Sequence, residues 1–281
     1  MSVTINGSTG VSLVQDGVIV TADMASSVPL GTKNKIINGN LGINQRAVTG
    51  SVVLAAGVYG HDRWKAGASG CSYTFATTAN VTTITISAGS LLQVIEGLNL
   101  QSGTHTLSWT GTATAKIDAG SYSASGVTGT ATGGTNMTID FSTGTLSLVQ
   151  LEEGSTATPF EHRSYGQELA LCQRYYQQYG SSGTTTAIGA GVWFSTTQVL
   201  ALFPFIREMR TAPTMTVSGA NWCMLYRVGA LSVSNDTTPF DSIGATSARI
   251  NNNGVVVAGV AGQGCFIQIQ VGYFAYLNAE L

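Results

Sequence analysis

Charge is scarce in this chain: Asp, Glu, Lys and Arg make up 9% of its 281 residues, against roughly 25% in an ordinary soluble domain. The formal net charge is −2, from 12 Lys+Arg and 14 Asp+Glu. No basic field therefore gathers phosphates and no acidic one gathers cations, so neither nucleic acid nor a membrane surface is expected as a partner. Proline is rare, with 5 residues, and there are 4 cysteines, Cys71, Cys172, Cys223 and Cys265, with no C-x-x-C spacing. Two disulfides are permitted but none is required, and buried free thiols are the expected state. No apolar run reaches the roughly 18 residues of a membrane helix, and the run at 255–261 has only the length of a strand. No membrane insertion is expected. The opening Met1-Ser2-Val3-Thr4-Ile5-Asn6 has neither the basic nor the apolar region of a secretory leader, so none is expected there.

Catalytic motifs are missing as well. There is no H-E-x-x-H, no P-loop and no G-x-G-x-x-G opening a helix. The segments at 67–71 and 180–184 approach a G-x-S-x-G elbow but lack its last glycine, and they read as turns. His61-Asp62 is a catalytic pair on paper and an ordinary loop pair otherwise. Glycoside hydrolysis wants two carboxyl groups roughly 5–10 Å apart in one groove. Glu152 and Glu153 are consecutive at the end of a strand-like run and so point to opposite faces; Asp236 and Asp241 flank a loop. No enzyme activity, cofactor or metal site is expected.

What is present is 43% hydrophobic residues and 35 glycines, set in short alternating runs between Ser and Thr. Hydrophobicity of that order with little net charge is the composition of a folded chain. Ile84 and Ile86 oppose Thr83 and Thr85, and Met137, Ile139 and Phe141 oppose Thr138 and Asp140, which is the pattern of strands with one dry face. The pattern predicts an all-β protein: an N-terminal extended anchor, then two antiparallel β-sandwich, jelly-roll-like domains joined by one α-helix. The divisions expected are 1–33, 34–162, 163–180 for the helix, and 181–281. In the last part the runs at 189–194, 214–217, 255–260 and 267–271 read as strands and 251–254 as a hairpin turn. Ser164 suits the helix N-cap and Gly180 its C′ position, and Leu169, Cys172, Tyr176 and Tyr179 follow helical spacing along one stripe. That stripe is apolar enough for three copies to meet around it.

Polar hydroxyl and amide surface interspersed with aromatics suits sugars, which stack on rings and bond amides and carboxylates around them. The candidates are Tyr122, Asn221, Trp222, Tyr226, Asn235 and Asp236. Each aromatic also has a reading as a core residue, and Trp109 and Trp193 are expected in the core.

Five separated segments, 34–46, 59–64, 149–161, 168–176 and 277–281, resemble the jelly-roll module of bacteriophage tail fibres in order and spacing. The match covers most of 34–180, while 181–276 matches only loosely. It implies a virion protein made in the host bacterial cytoplasm, usually a homotrimer, with a carbohydrate-binding-module-like domain near the particle and a distal domain on host surface polysaccharide. Residues 1–33, with Ile5, Val14, Val18 and Val20 as their apolar positions, are then the segment held by tail or neck proteins. The resemblance also favours packing roles for Arg46 and Trp64. A head or neck decoration fibre is the alternative, and a capsule depolymerase a more distant one, given the missing β-helix repeat.

Overall fold

The computed structural model describes residues 33–227, 229–234 and 236–281. Ile5, Val14, Val18 and Val20, and Asn235 among the sugar candidates, lie outside the described residues. Every strand pairing among those residues is antiparallel. The first part holds β1 (Val52–Leu54), β2 (Lys65–Thr78), β3 (Val81–Ile95), β4 (Gly103–Thr110), β5 (Ala115–Ile117), β6 (Val127–Ala131), β7 (Met137–Phe141) and β8 (Gly144–Glu153) in one eight-stranded sheet. The long β3 pairs β8 with one half and β7 with the other, so the sheet can fold over on itself. Bulges between Ala66 and Cys71 supply the bend in its partner β2. Trp109 of β4 meets Phe141 of β7 edge to face at 5.1 Å, closing the two layers of the sandwich over one core. Ile84, Ile86, Met137, Ile139 and Phe141 are all buried, as their alternation requires.

The second part holds β9 (Tyr176–Gly180), β10 (Thr186–Trp193), β11 (Val199–Pro204), β12 (Thr214–Val217), β13 (Cys223–Arg227), β14 (Ala230–Val233), β15 (Phe240–Asp241), β16 (Ser247–Asn252), β17 (Gly264–Ile269) and β18 (Phe274–Asn278). Seven strands in the order β14-β13-β17-β10-β11-β16-β15 pack on three in the order β12-β18-β9. Trp193, Phe203, Trp222, Leu225, Ile267 and Leu277 fill the core between the sheets. All four cysteines are buried and free. The apolar run at 255–260 is not a strand: apart from a bridge between Val255 and Ser234 it is a bend and irregular chain, with Val256, Val257 and Val260 exposed. Gly259 lies so close over Trp193 that a Cβ there would come within 2.1 Å of the ring, which pins the segment off the sheet. Asn251 and Asn252 end β16 instead of forming a hairpin turn.

The single α-helix among the described residues, α1 (Tyr165–Gln173), begins as expected. Ser164 Oγ accepts from the Gln167 N–H and the Gln167 side chain accepts from the Ser164 N–H, a complete capping box. Its end is seven residues short of the segment's expected limit near 180, because Tyr176–Gly180 pairs with β18 as a strand. Gly180 therefore ends β9, with φ 115°, and caps no helix. The proposed trimer stripe does not exist as a helix face. Cys172 and Tyr176 are buried within the chain, Leu169 packs on Ile37, Ile43, Cys172 and Tyr175, and Tyr179 meets Phe203 at 4.7 Å. Ser164→Ala is expected to lower the urea unfolding free energy by about 1 kcal/mol. An unchanged midpoint would mean that tertiary contacts alone hold the helix.

An ionic lattice lies where the two sandwiches meet. Arg63, 1% exposed, pairs with Glu280, 3% exposed, and Arg46 reaches the same carboxylate at 3.2 Å. The two guanidinium groups lie over the rings of Tyr175 and Tyr176 at 3.6 and 3.8 Å. Arg63 also donates to the Val94 carbonyl at 2.7 Å. The Ala279 N–H donates to the Tyr175 carbonyl at 2.8 Å, fixing the glutamate's place beside both arginines.

Candidate carbohydrate-contacting face

β13 and β17 alternate strictly. Cys223, Leu225, Cys265, Ile267 and Ile269 point into the core, which leaves Met224, Tyr226, Phe266 and Gln268 on the outward face. The register sets Tyr226 beside Phe266 and Met224 beside Gln268, with Leu231 on the far side of Tyr226 and Ala190 beyond Phe266. Tyr226, Phe266 and Leu231 are 38%, 44% and 45% exposed. Ala190 is small and exposed, so the neighbouring rings stay open to a ligand lying along the row.

The same face turns polar across the sheet. On β11, Leu202 is exposed and faces Arg249 of β16, which faces Asp241 of β15. Arg249 makes two parallel bonds to Asp241, Nε to Oδ1 at 2.6 Å and Nη2 to Oδ2 at 2.7 Å. Asn251 Nδ2 donates to the same carboxylate at 2.7 Å, and Gln198 Nε2 donates to Asn251 Oδ1 at 2.7 Å. The hydrogen bond from Arg249 is the main reason the Asp241 carboxyl is held below the usual carboxylate range. The pair is neutral overall and presents orientated donors and acceptors at the surface. Four strand spacings separate Tyr226 from Arg249, a strip of about 19 Å.

Of the sugar candidates read from the sequence, Tyr226 lies on this face. Trp222 does not: it is fully buried against Phe240 at 5.5 Å and offers no ring face to a ligand. Asn221 adopts φ 65° and uses its backbone carbonyl to accept from Gln270. Asp236 accepts from the Thr238 and Asn253 N–H groups at 2.9 and 3.1 Å, so its carboxylate is spent on the turn. Asn221 and Asp236 do come together, both bonding to Ser234, at the end of the sheet. Tyr122 is exposed but belongs to the first sandwich, where it donates to Asp140 at 3.0 Å with Lys116 over its ring at 5.0 Å. Phe266 was not among the candidates; extending the alternation of Ile267 and Ile269 back through Cys265 is the signal that finds it.

The groups considered for catalysis are engaged elsewhere. His61 is buried, with Nδ1 3.0 Å from the Tyr73 hydroxyl, and burial pushes its pKa down to about 4. Asp62 accepts from the Gln45 backbone N–H and side-chain Nε2 at 2.6 and 2.7 Å, and burial raises its carboxyl despite the nearby Arg46. Glu152 is buried and accepts from Thr158, whereas Glu153 points outward to Lys35 at 2.9 Å, on opposite faces as consecutive strand residues must be. Among the described residues no three His, Cys, Asp or Glu side chains converge for a metal. No protein-family model matches the chain, and none of the curated proteins or solved structures compared with it matches either.

Proposed function

We propose that this chain is the subunit of a bacteriophage tail fibre that attaches the particle to host surface polysaccharide through the outward face of the seven-stranded sheet. The observation that carries the reading is the exposed Tyr226–Phe266 pair, set on the same face as the Arg249–Asp241–Asn251 row. Rings stack on the C–H faces of sugars while the polar row bonds their hydroxyls, and the neutral pairing of Arg249 with Asp241 suits an uncharged glycan. The origin in a virion rests on the five segments similar to phage fibres. In this reading the protein works as a homotrimer without a cofactor, residues 1–33 join it to the tail, and it is assembled in the host cytoplasm. Three copies on one fibre convert weak single-site binding into firm attachment.

The test is retention of the purified full chain on a panel of immobilised bacterial surface polysaccharides, with Tyr226→Ala/Phe266→Ala as the variant. Each stacked ring is worth on the order of 1 kcal/mol, so the double variant is expected to bind about 10- to 100-fold more weakly. Its urea midpoint should barely move, since both side chains are on the surface. Retention by neither protein on any polysaccharide would favour a decorating fibre, and sugar release would favour a depolymerase.

A further inference from the structure

The end of the second sandwich that points away from the first carries an apolar tip. β11 starts beside the turn at 194–198 and ends at Pro204, and the chain beyond it reaches the junction of the sandwiches, where the Arg210 N–H donates to the Arg174 carbonyl at 2.7 Å. The turn therefore lies at the far end of the strand. The segment 254–262 is bonded to it: the Gly259 N–H donates to the Thr196 carbonyl and the Gly262 N–H to the Trp193 carbonyl, both at 2.8 Å. From Gly254 to Gly262 every side chain is apolar or absent. Val256, Val257 and Val260 are nevertheless exposed, and Phe194 on the turn is 64% exposed. No Asp, Glu, Lys, Arg or His occurs from Tyr175 to Ile206 or from Ile250 to Ala279.

Two features separate this tip from an ordinary surface loop. Its backbone is bonded within the chain: the Val256 N–H donates to the Val233 carbonyl at 3.0 Å, the Val257 N–H to Ser232 Oγ at 2.9 Å, and the Ala258 carbonyl accepts from Arg227 Nη2 at 2.8 Å. Peptide groups already paired inside the protein can leave water for hydrocarbon without opening a hydrogen bond. The charged side chain bonded to the segment, Arg227, leans on the buried Trp193 ring at 5.6 Å and gives its Nη1 to Gln263 Oε1 at 3.1 Å. Gly259 packs on the same ring, so the segment is backed by the core. The four exposed side chains offer on the order of a few hundred Å², well short of the roughly 800 Å² per partner of a stable protein interface. That area is too small to hold a second copy and suits shallow burial in lipid, where attachment scales with buried apolar area. The scarcity of charge that removes attraction to an anionic surface does not weaken this contact, which apolar burial drives.

We propose that this tip is a lipid-contacting surface, with Phe194, Val256, Val257 and Val260 entering the headgroup and upper acyl region of an uncharged bilayer to a depth of roughly 5–10 Å. It rests on the membrane and does not cross it: no helix among the described residues is long and apolar enough to span one. The test is co-flotation of the full chain with vesicles of phosphatidylcholine and phosphatidylethanolamine, which carry no sugar. Matching vesicles that contain phosphatidylglycerol are the charged comparison. The chain is expected to float with the uncharged vesicles, equally at low and high salt. Phe194→Ser/Val260→Ser is expected to bind at least about tenfold more weakly, with its urea midpoint unchanged because both side chains are on the surface. Tyr226→Ala/Phe266→Ala should float like the parent chain, which separates this surface from the sugar-facing rings. No flotation with uncharged vesicles, flotation only with phosphatidylglycerol, or flotation undiminished in the tip variant would overturn the proposal. So would a lower sedimenting mass of the tip variant without lipid, since copies of the chain would then be meeting at the tip.

Discussion

Glu280→Ala is expected to cost about 3–5 kcal/mol of stability, the penalty for leaving buried charge unpaired. Arg63 is 1% exposed and Arg46 12% exposed, and Glu280 is the carboxylate that both reach. Without it Arg46 keeps Asp62, at 3.6 Å, and the Tyr176 ring, and Arg63 keeps a carbonyl and the Tyr175 ring. Neither of those two neighbours of Arg63 carries a negative charge. Urea unfolding followed by tryptophan fluorescence checks this, because Trp64 and Trp109 report the first sandwich and Trp193 and Trp222 the second. A companion variant sharpens the result. Arg63→Met with Glu280→Leu removes that pair together, and its loss should be smaller than that of Glu280→Ala, since the desolvation of both ions disappears and only Arg46, which retains Asp62, is left short of a partner. A loss below about 1 kcal/mol in Glu280→Ala would show that water or rearranged side chains reach the arginines and that the lattice is no staple.

The second large effect is acid lability centred on His61. Burial holds its folded-state pKa at about 4 against 6.5 for the ordinary side chain. Between those values the unfolded chain binds a proton that the folded chain refuses, so stability is complete above about pH 6.5 and declines as pH falls toward 4. A difference of that size corresponds to roughly 3 kcal/mol. Asp62, with its carboxyl raised by burial, works in the opposite sense at the acid end, because the folded chain takes up that proton first. Glu153 and Asp241, both lowered by hydrogen bonds from basic partners, lose stability only near and below their ordinary carboxylate pKa. The decline from about pH 6.5 downward is therefore the histidine's, offset by Asp62 wherever its raised carboxyl takes up a proton. His61→Phe should flatten the stability profile there while losing the contact to the Tyr73 hydroxyl. A wild-type profile that is already flat would mean that His61 becomes solvated or paired on protonation.

How much of this was legible in the sequence varies with the range of the interaction. Period-two alternation marks Ile84 to Ile86 and Met137 to Phe141, and Ser164 with Gln167 marks the start of α1, because each depends on neighbours within a few residues. The end of α1 depends on β18, about a hundred positions later, and no local spacing shows that Tyr176 to Gly180 has a strand partner. The run at 255–260 misleads for the same reason: its conformation is set by the approach of Gly259 to Trp193. Arg63 and Glu280 are 217 positions apart, so the lattice has no sequence signature. At the distal face Tyr226 was readable and Phe266 was within reach, whereas Trp222 sits one residue before a strand and turns inward. The segments that resemble phage fibres supply Asn38, Arg46, Arg63, Trp64, Tyr175 and Glu280, all engaged in packing or in the lattice. They speak for architecture.

The edges of the seven-stranded sheet have one more consequence. A chain with so few charges has little electrostatic repulsion to keep copies apart in a crowded cell, and open strand edges invite further pairing. Here the outermost strands are β14, with four residues, and β15, with two. Asp241, the last residue of β15, is bonded back to Arg249 on the neighbouring strand. Brevity thus limits the template that either edge of this sheet offers to a neighbour, in a chain whose net charge of −2 supplies little repulsion.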